Sequence, residues 1–169
     1  MIRTNRHLAI ALLIPALAFV GCKAKPPGKL ETGVMTKAKK LMVGNRKEKN
    51  PMEGNAQTIA QGRENFSHYC AACHGLDGQN TGVPFAERMS PPVPRLNSPQ
   101  VQAYTDGQLK WIIDNGIFPS GMPASKGTLN DEEIWTIVTF IRHLPPAGSL
   151  GEPSMYSGQT CMESRTAGE

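Results

Sequence analysis

No stretch of the 169-residue chain sustains the apolar-polar alternation of a half-buried strand, which excludes a sheet as the organising element and leaves helices and loops. No internal repeat is present, so a solenoid or propeller is excluded as well. The longest apolar run, Leu8 to Val20, is interrupted by Pro15 and is too short to cross a bilayer as a permanent helix. Core-forming side chains are scarce: aromatic residues make up 6% and all hydrophobic residues 39%, beside 17 glycines and 14 prolines. That is lean for a domain that must build its core from side chains alone, and a large apolar cofactor would complete it.

The charge is unevenly spread. Residues 1–22 hold two basic groups, residues 23–55 nine basic against three acidic, residues 56–147 six against eight, and residues 148–169 one against three. The positive excess therefore belongs to the N-terminal arm rather than to the body of the protein. A nucleic-acid binder usually carries its positive charge on the folded reading surface, interleaved with aromatics, so nucleic acid is excluded as the partner.

Arg3 and Arg6 before the apolar run make residues 1–21 read as a signal peptide. Its end has two readings. Phe19, Val20, Gly21 and Cys22 resemble a bacterial lipobox, although Phe19 and Val20 depart from the usual Leu and small residue; Cys22 would then be lipidated and the protein anchored to a membrane. In the alternative, Ala16 and Ala18 form an ordinary small-x-small cleavage site and the product is soluble in the periplasm. The lipoprotein reading is preferred, because a lone Cys directly after the apolar run has no other evident role.

Residues 22–55 read as a flexible basic linker, with one weak helix around Thr36 to Met42, which either stays solvated or lies along anionic head groups. A folded domain then spans 56–147. Its first helix starts near Ala56 and carries Ile59, Gly62, Phe66 and Tyr69 at spacings of three and four. A Gly- and Pro-rich loop, Gly75 to Tyr104, needs something to pack against. Thr105 or Asp106 caps a second helix with Leu109, Ile112 and Ile113 inward, stopped by Asn115 and Gly116. The last helix, capped by Thr128 or Asn130, has Asp131, Glu132 and Glu133 in its first turn and is terminated by Pro145 and Pro146. The tail, 148–169, is small and polar and reads as disordered.

Cys70, Ala71, Ala72, Cys73 and His74 form a CxxCH motif, the attachment site of a covalent c-type haem. On a helix, residues three apart share a face, so two sulfurs reach two vinyl groups along one side of a porphyrin while the next residue turns its imidazole onto the iron. The rival readings fare worse. A thioredoxin-type pair needs a βαβ pattern that is absent here, and a four-ligand zinc site lacks its second pair.

These features together resemble a bacterial class I mono-haem cytochrome c over about Ala56 to Pro145: Gly62 and Phe66 leading into CxxCH, the Pro-rich run Met89 to Leu96, then Gly121, Met122 and Pro123, and a last helix bearing Trp135. The resemblance implies an all-α fold of three main helices and long loops wrapped around one haem. It implies that the first and last helices cross near Gly62, with Phe66 and Trp135 packing at the crossing. It also implies Met122 as the second axial ligand of the iron opposite His74, with Met89 as runner-up, whose other role is to cover the haem edge. A carbonyl near Pro84 or in the Pro91 to Pro94 run is expected to orient His74. Met155, Met162 and Cys161 fall in the tail and are given no role, and His68 and His143 are not expected to bind iron. The function so implied is one-electron transfer with unidentified redox proteins on the periplasmic side of a bacterial membrane, with no catalysis of its own. The alternatives are a haem-containing, electron-accepting subunit of a larger oxidoreductase, or an open-site ligand-binding cytochrome.

Overall fold

The computed structural model describes residues 29–118 and 120–157; the signal segment 1–21, Cys22, Cys161 and Met162 lie outside them. The described chain is all-α, with six helices: α1 (Lys29–Val43), α2 (Ala56–Tyr69), α3 (Ala71–His74), α4 (Pro99–Gln102), α5 (Asp106–Asn115) and α6 (Asp131–Arg142). Its only β-type pairings are two isolated bridges, Ile117 with Met122 and Lys126 with Leu129.

Local chemistry sets the helix boundaries. Thr105 and Asn130 each close a capping box, with Gln108 and Glu133 answering three residues later, so that two otherwise unpaired backbone donors are satisfied at each start. Asn55 caps α2 through the Thr58 amide. Each cap is worth about 1 kcal/mol.

Packing then selects the faces. The crossing of α2 and α6 is tight at Gly62, where an added Cβ would lie 2.0 Å from the Thr136 carbonyl oxygen. Asn65 Nδ2 donates to Thr136 Oγ1 across the crossing at 3.1 Å. The ring that meets Phe66 is Phe140, at 5.1 Å between centroids, and not Trp135 as the resemblance implied. Thr136 and Phe140 lie one turn apart on the face toward α2, whereas Trp135 is rotated by about 100° from Thr136 and looks toward α5, with Lys110 Nζ 5.8 Å from its ring centre. Ile134, Ile137 and Val138 fill the remaining core with no exposure.

Two segments depart from the expected tether and tail. The weak helix expected at 36–42 is the second half of the 15-residue α1, and the residues after it strap the domain. Val43 is buried, Gly44 O accepts from Gln108 Nε2 at 2.7 Å, Arg46 O accepts from Thr105 Oγ1, and the Gly107 amide donates to Glu48 O at 3.0 Å. The Arg46 guanidinium lies 4.8 Å over the Trp111 ring, and Asn50 Nδ2 donates to Trp135 O and Thr139 Oγ1. Nor is the tail free from residue 148 onward. The Gly148 amide donates to Asp77, Leu150 packs on the core, Pro153 is buried, and Tyr156 donates to the Ala72 carbonyl at 2.8 Å. Both segments dock through long-range hydrogen bonds and single side chains, which leave no period in the sequence.

Candidate haem site

Cys70 is the C-cap of α2 and the N-cap of α3, so the chain passes from the long helix into one further turn that carries Ala71, Ala72, Cys73 and His74. The amides of Cys73 and His74 both donate to Cys70 O, at 3.1 and 3.0 Å, which holds the motif as a single turn. Both cysteines are free thiols. Cys70 packs against the core, and burial, with a smaller contribution from Cys73, pushes its thiol up to about 12, so it is neutral at neutral pH. Cys73 is exposed.

His74 lies against Phe66, ring centres 6.4 Å apart. Burial pushes its imidazole down to about 4, so the ring is neutral at neutral pH and its lone pair is available to a metal. The Pro94 carbonyl is near enough to favour the protonated ring, in the Pro run where an orienting carbonyl was expected. Even so, buried Nδ1 completes no hydrogen bond of ordinary length and angle. Two free thiols on one turn and a neutral imidazole with an unpartnered nitrogen form a donor set that fits a covalent haem. Among the described residues no three His, Cys, Asp or Glu side chains gather as another metal site.

Met122 reaches the same core by a separate route. The 117–126 loop folds back on the end of α5: Ile117 N donates to Met122 O at 3.1 Å, and both the amide and the hydroxyl of Ser125 donate to Ile113 O. Gly116, at φ +65°, makes this possible, since a Cβ there would stand 2.4 Å from Met122 O. The Met122 side chain is half-buried against the core cluster that also receives Cys70. Met89 converges on the same loop, its methyl 3.3 Å from where a Gly121 Cβ would be. His68 is exposed on α2, Met155 is 59% exposed, and His143 bonds back to Thr139 O at 2.8 Å.

The loop after His74 is braced from within. Asn80 N donates to His74 O at 2.8 Å and Asn80 Nδ2 to Val93 O at 2.8 Å, while Leu96 N donates to Gly78 O at 2.8 Å. A polar cavity of about 350 Å³ opens beside it, lined by residues that include Asn80, Glu87, Arg88 and Arg95, and by none of the candidate haem ligands.

At the hub sits Asp77, with no exposure, accepting from Gln79 N, Thr81 Oγ1 and Gly148 N. The residue reading missed both Asp77 and Tyr156; the flanking Gly75 and Gly78 were the only local hint that a turn here needed an acceptor. Burial pushes the Asp77 carboxyl up, but the hydrogen bonds from Thr81, Gly148 and Gln79 together outweigh it and hold the group below the ordinary carboxylate range. The stability it adds is therefore present above the unfolded pKa of 3.8 and is lost as the pH falls through the lower folded value. Asp77→Asn is expected to destabilise the domain by about 2 kcal/mol at neutral pH. The gap from wild type should close toward about pH 2. Denaturant unfolding at the two pH values checks this, and a gap that stays constant would remove the carboxylate from the account.

An all-α domain that crosses its first and last helices at a glycine and presents two thiols and an imidazole on one turn defines a c-type cytochrome. Residues 57–141, half of the chain, match the family described as cytochrome c oxidase, cbb3-type, subunit III, and the chain belongs to that family. No curated protein matches the chain. The cofactor is accordingly a covalently bound c-type haem with its iron, the role is haem-based electron transfer, and the domain works outside the cytoplasm. No helix among the described residues is long and apolar enough to cross a membrane.

Proposed function

We propose that this chain is a one-electron carrier whose haem is joined through Cys70 and Cys73, with the iron held between His74 and Met122 and closed to small-molecule substrates. The observation that carries the reading is the neutral, half-buried His74, its buried Nδ1 unpartnered, on the same turn as two free thiols. When bound, the haem iron supplies the one-electron chemistry by cycling between ferric and ferrous states. The protein's part is positional. Phe66 packs against the His74 ring, the Pro94 carbonyl biases its nitrogens, and Gly116 and Ser125 fix the loop that delivers the Met122 thioether. A Met122 thioether bound to the iron would raise its potential and leave no room for a small-molecule ligand.

Met122→Ala tests the assignment. The wild type should be low-spin, with the weak red charge-transfer band of an iron–methionine bond in the oxidised form. The variant should lose the band, turn high-spin and bind carbon monoxide when reduced. If the band persists, the ligand is another thioether, and Met89, already against Gly121, takes its place. A wild type that is itself high-spin and binds carbon monoxide would make this an open-site cytochrome.

The family's description as an oxidase subunit favours a second reading, in which the chain passes its electron within a larger oxidoreductase. Co-migration of the haem with oxidase activity in detergent-solubilised membranes separates that reading from a free carrier. For the N-terminus we propose a signal peptide over 1–21 and a lipidated Cys22. The mass of the mature N-terminus distinguishes this from cleavage after Ala18.

A further inference from the structure

The outer face of α1 is apolar and has no partner among the described residues. Val34 is 60% exposed and Leu41 82%, and with exposed Lys37 between them they form one stripe at helical spacing; Met42, 44% exposed, borders it. Isolated exposed apolar residues need no explanation, but here three of them gather on one helix within the most basic part of the chain. Residues 23–55 carry nine basic groups against three acidic, whereas 56–147 carry six against eight. An apolar stripe set among lysines, on a helix of low overall hydrophobicity, has the character of a helix that lies in the plane of an anionic lipid surface.

One further observation points to lipid as the occupant, and another to what its binding would do. Only six residues, 23–28, separate Cys22 from the start of α1, a reach of about 25 Å at most. If Cys22 is held at a membrane, α1 is confined to its immediate neighbourhood. The helix is also fastened to the body of the protein: Val43 is buried, Lys39 Nζ lies 5.5 Å from the Tyr104 ring centre, and the strap from Gly44 to Glu48 is bonded to Thr105, Gly107 and Gln108 at the start of α5. Whatever covers the outer face of α1 therefore sets the orientation of the whole domain.

We infer that the Val34–Lys37–Leu41 face of α1 rests on an anionic phospholipid surface and orients the haem domain against the membrane. The inference rests on the exported, membrane-held N-terminus only for its place in the cell; affinity for lipid is a property of the helix and is measured without the anchor.

The protein for the test is the haem-loaded mature chain, exported behind a conventional cleavable signal and carrying Cys22→Ser, so that no acyl group contributes. It is sedimented with phosphatidylcholine vesicles and with vesicles that also contain phosphatidylglycerol. Binding is expected only to the anionic vesicles at low salt, and high salt should release it. Leu41→Glu, at a site exposed enough to leave folding and the haem spectrum unchanged, should weaken partition by about tenfold or more. Lys37→Glu should weaken it by about fivefold. Failure to bind anionic vesicles, or a Leu41→Glu variant of intact spectrum that binds as well as its parent, overturns the inference and leaves the face to a protein partner. Neither result touches the haem assignment, which is read from the spectrum of Met122→Ala, and an unacylated native N-terminus would leave vesicle binding standing.

Discussion

Replacing both Cys70 and Cys73 by Ser should abolish covalent haem: under denaturing electrophoresis the wild-type band will stain for haem and the double variant will not. The two thiols are free, stand three residues apart on one turn, and differ in environment, Cys70 packed on the core and Cys73 exposed. On the proposed attachment each contributes one thioether, so either single variant should keep a covalently stained band at reduced yield. The double variant should also be poorly folded. The core is lean in side chains, and a covalent haem would add apolar bulk to it. A double variant that still holds its haem through denaturation would remove these cysteines as the attachment points.

The second large effect is expected at a residue that touches no cofactor. Gly62→Ala places a methyl 2.0 Å from the Thr136 carbonyl oxygen, 2.7 Å from its carbon and 3.0 Å from Phe140 Cβ. Two of these three atoms are backbone, so no rotamer change relieves the contact and the helices must move apart. In an exposed helix the same change would stabilise by about 1 kcal/mol, because Ala is the better helix former. Here the overpacking is expected to win by about 3 kcal/mol net, since separation of α2 from α6 also loosens the Phe66–Phe140 contact and the fully buried Ile134 and Ile137. For a domain of this size that corresponds to a fall in melting temperature of more than about 10 °C. Thermal melting of the oxidised holoprotein, followed by circular dichroism, reads it directly. An unchanged or raised melting temperature would mean that the crossing is looser than its geometry.

The signals legible in the residues were local ones. The cysteine spacing, the candidate caps at 105–106 and 128–130 and the apolar spacing of α6 each lie within a few residues, and two helices begin at Thr105 and Asn130 from among those candidates. The CxxCH motif was legible for the same reason, since it is a feature of one helical turn. Met122 was less so: its Gly–Met–Pro setting named it only through the resemblance, and what holds it near the core is the Gly116 approach and the Ser125 bonds to Ile113.

By itself, then, the sequence determined the helical class, the extent of the three principal helices and the single turn that carries the two thiols and His74, because capping, periodicity and thiol spacing are short-range. Only the tertiary structure decided that Phe66 meets Phe140, that Asp77 ties the loop after His74 to Gly148, and that residues 43–54 and 148–157 are part of the domain. Those contacts join residues 59 to 89 positions apart through single hydrogen bonds and single rings, such as Arg46 to Thr105, Asn50 to Thr139 and Tyr156 to Ala72. Such a pairing is stabilised only once the rest of the core has brought its ends together, so it leaves no periodic trace along the chain.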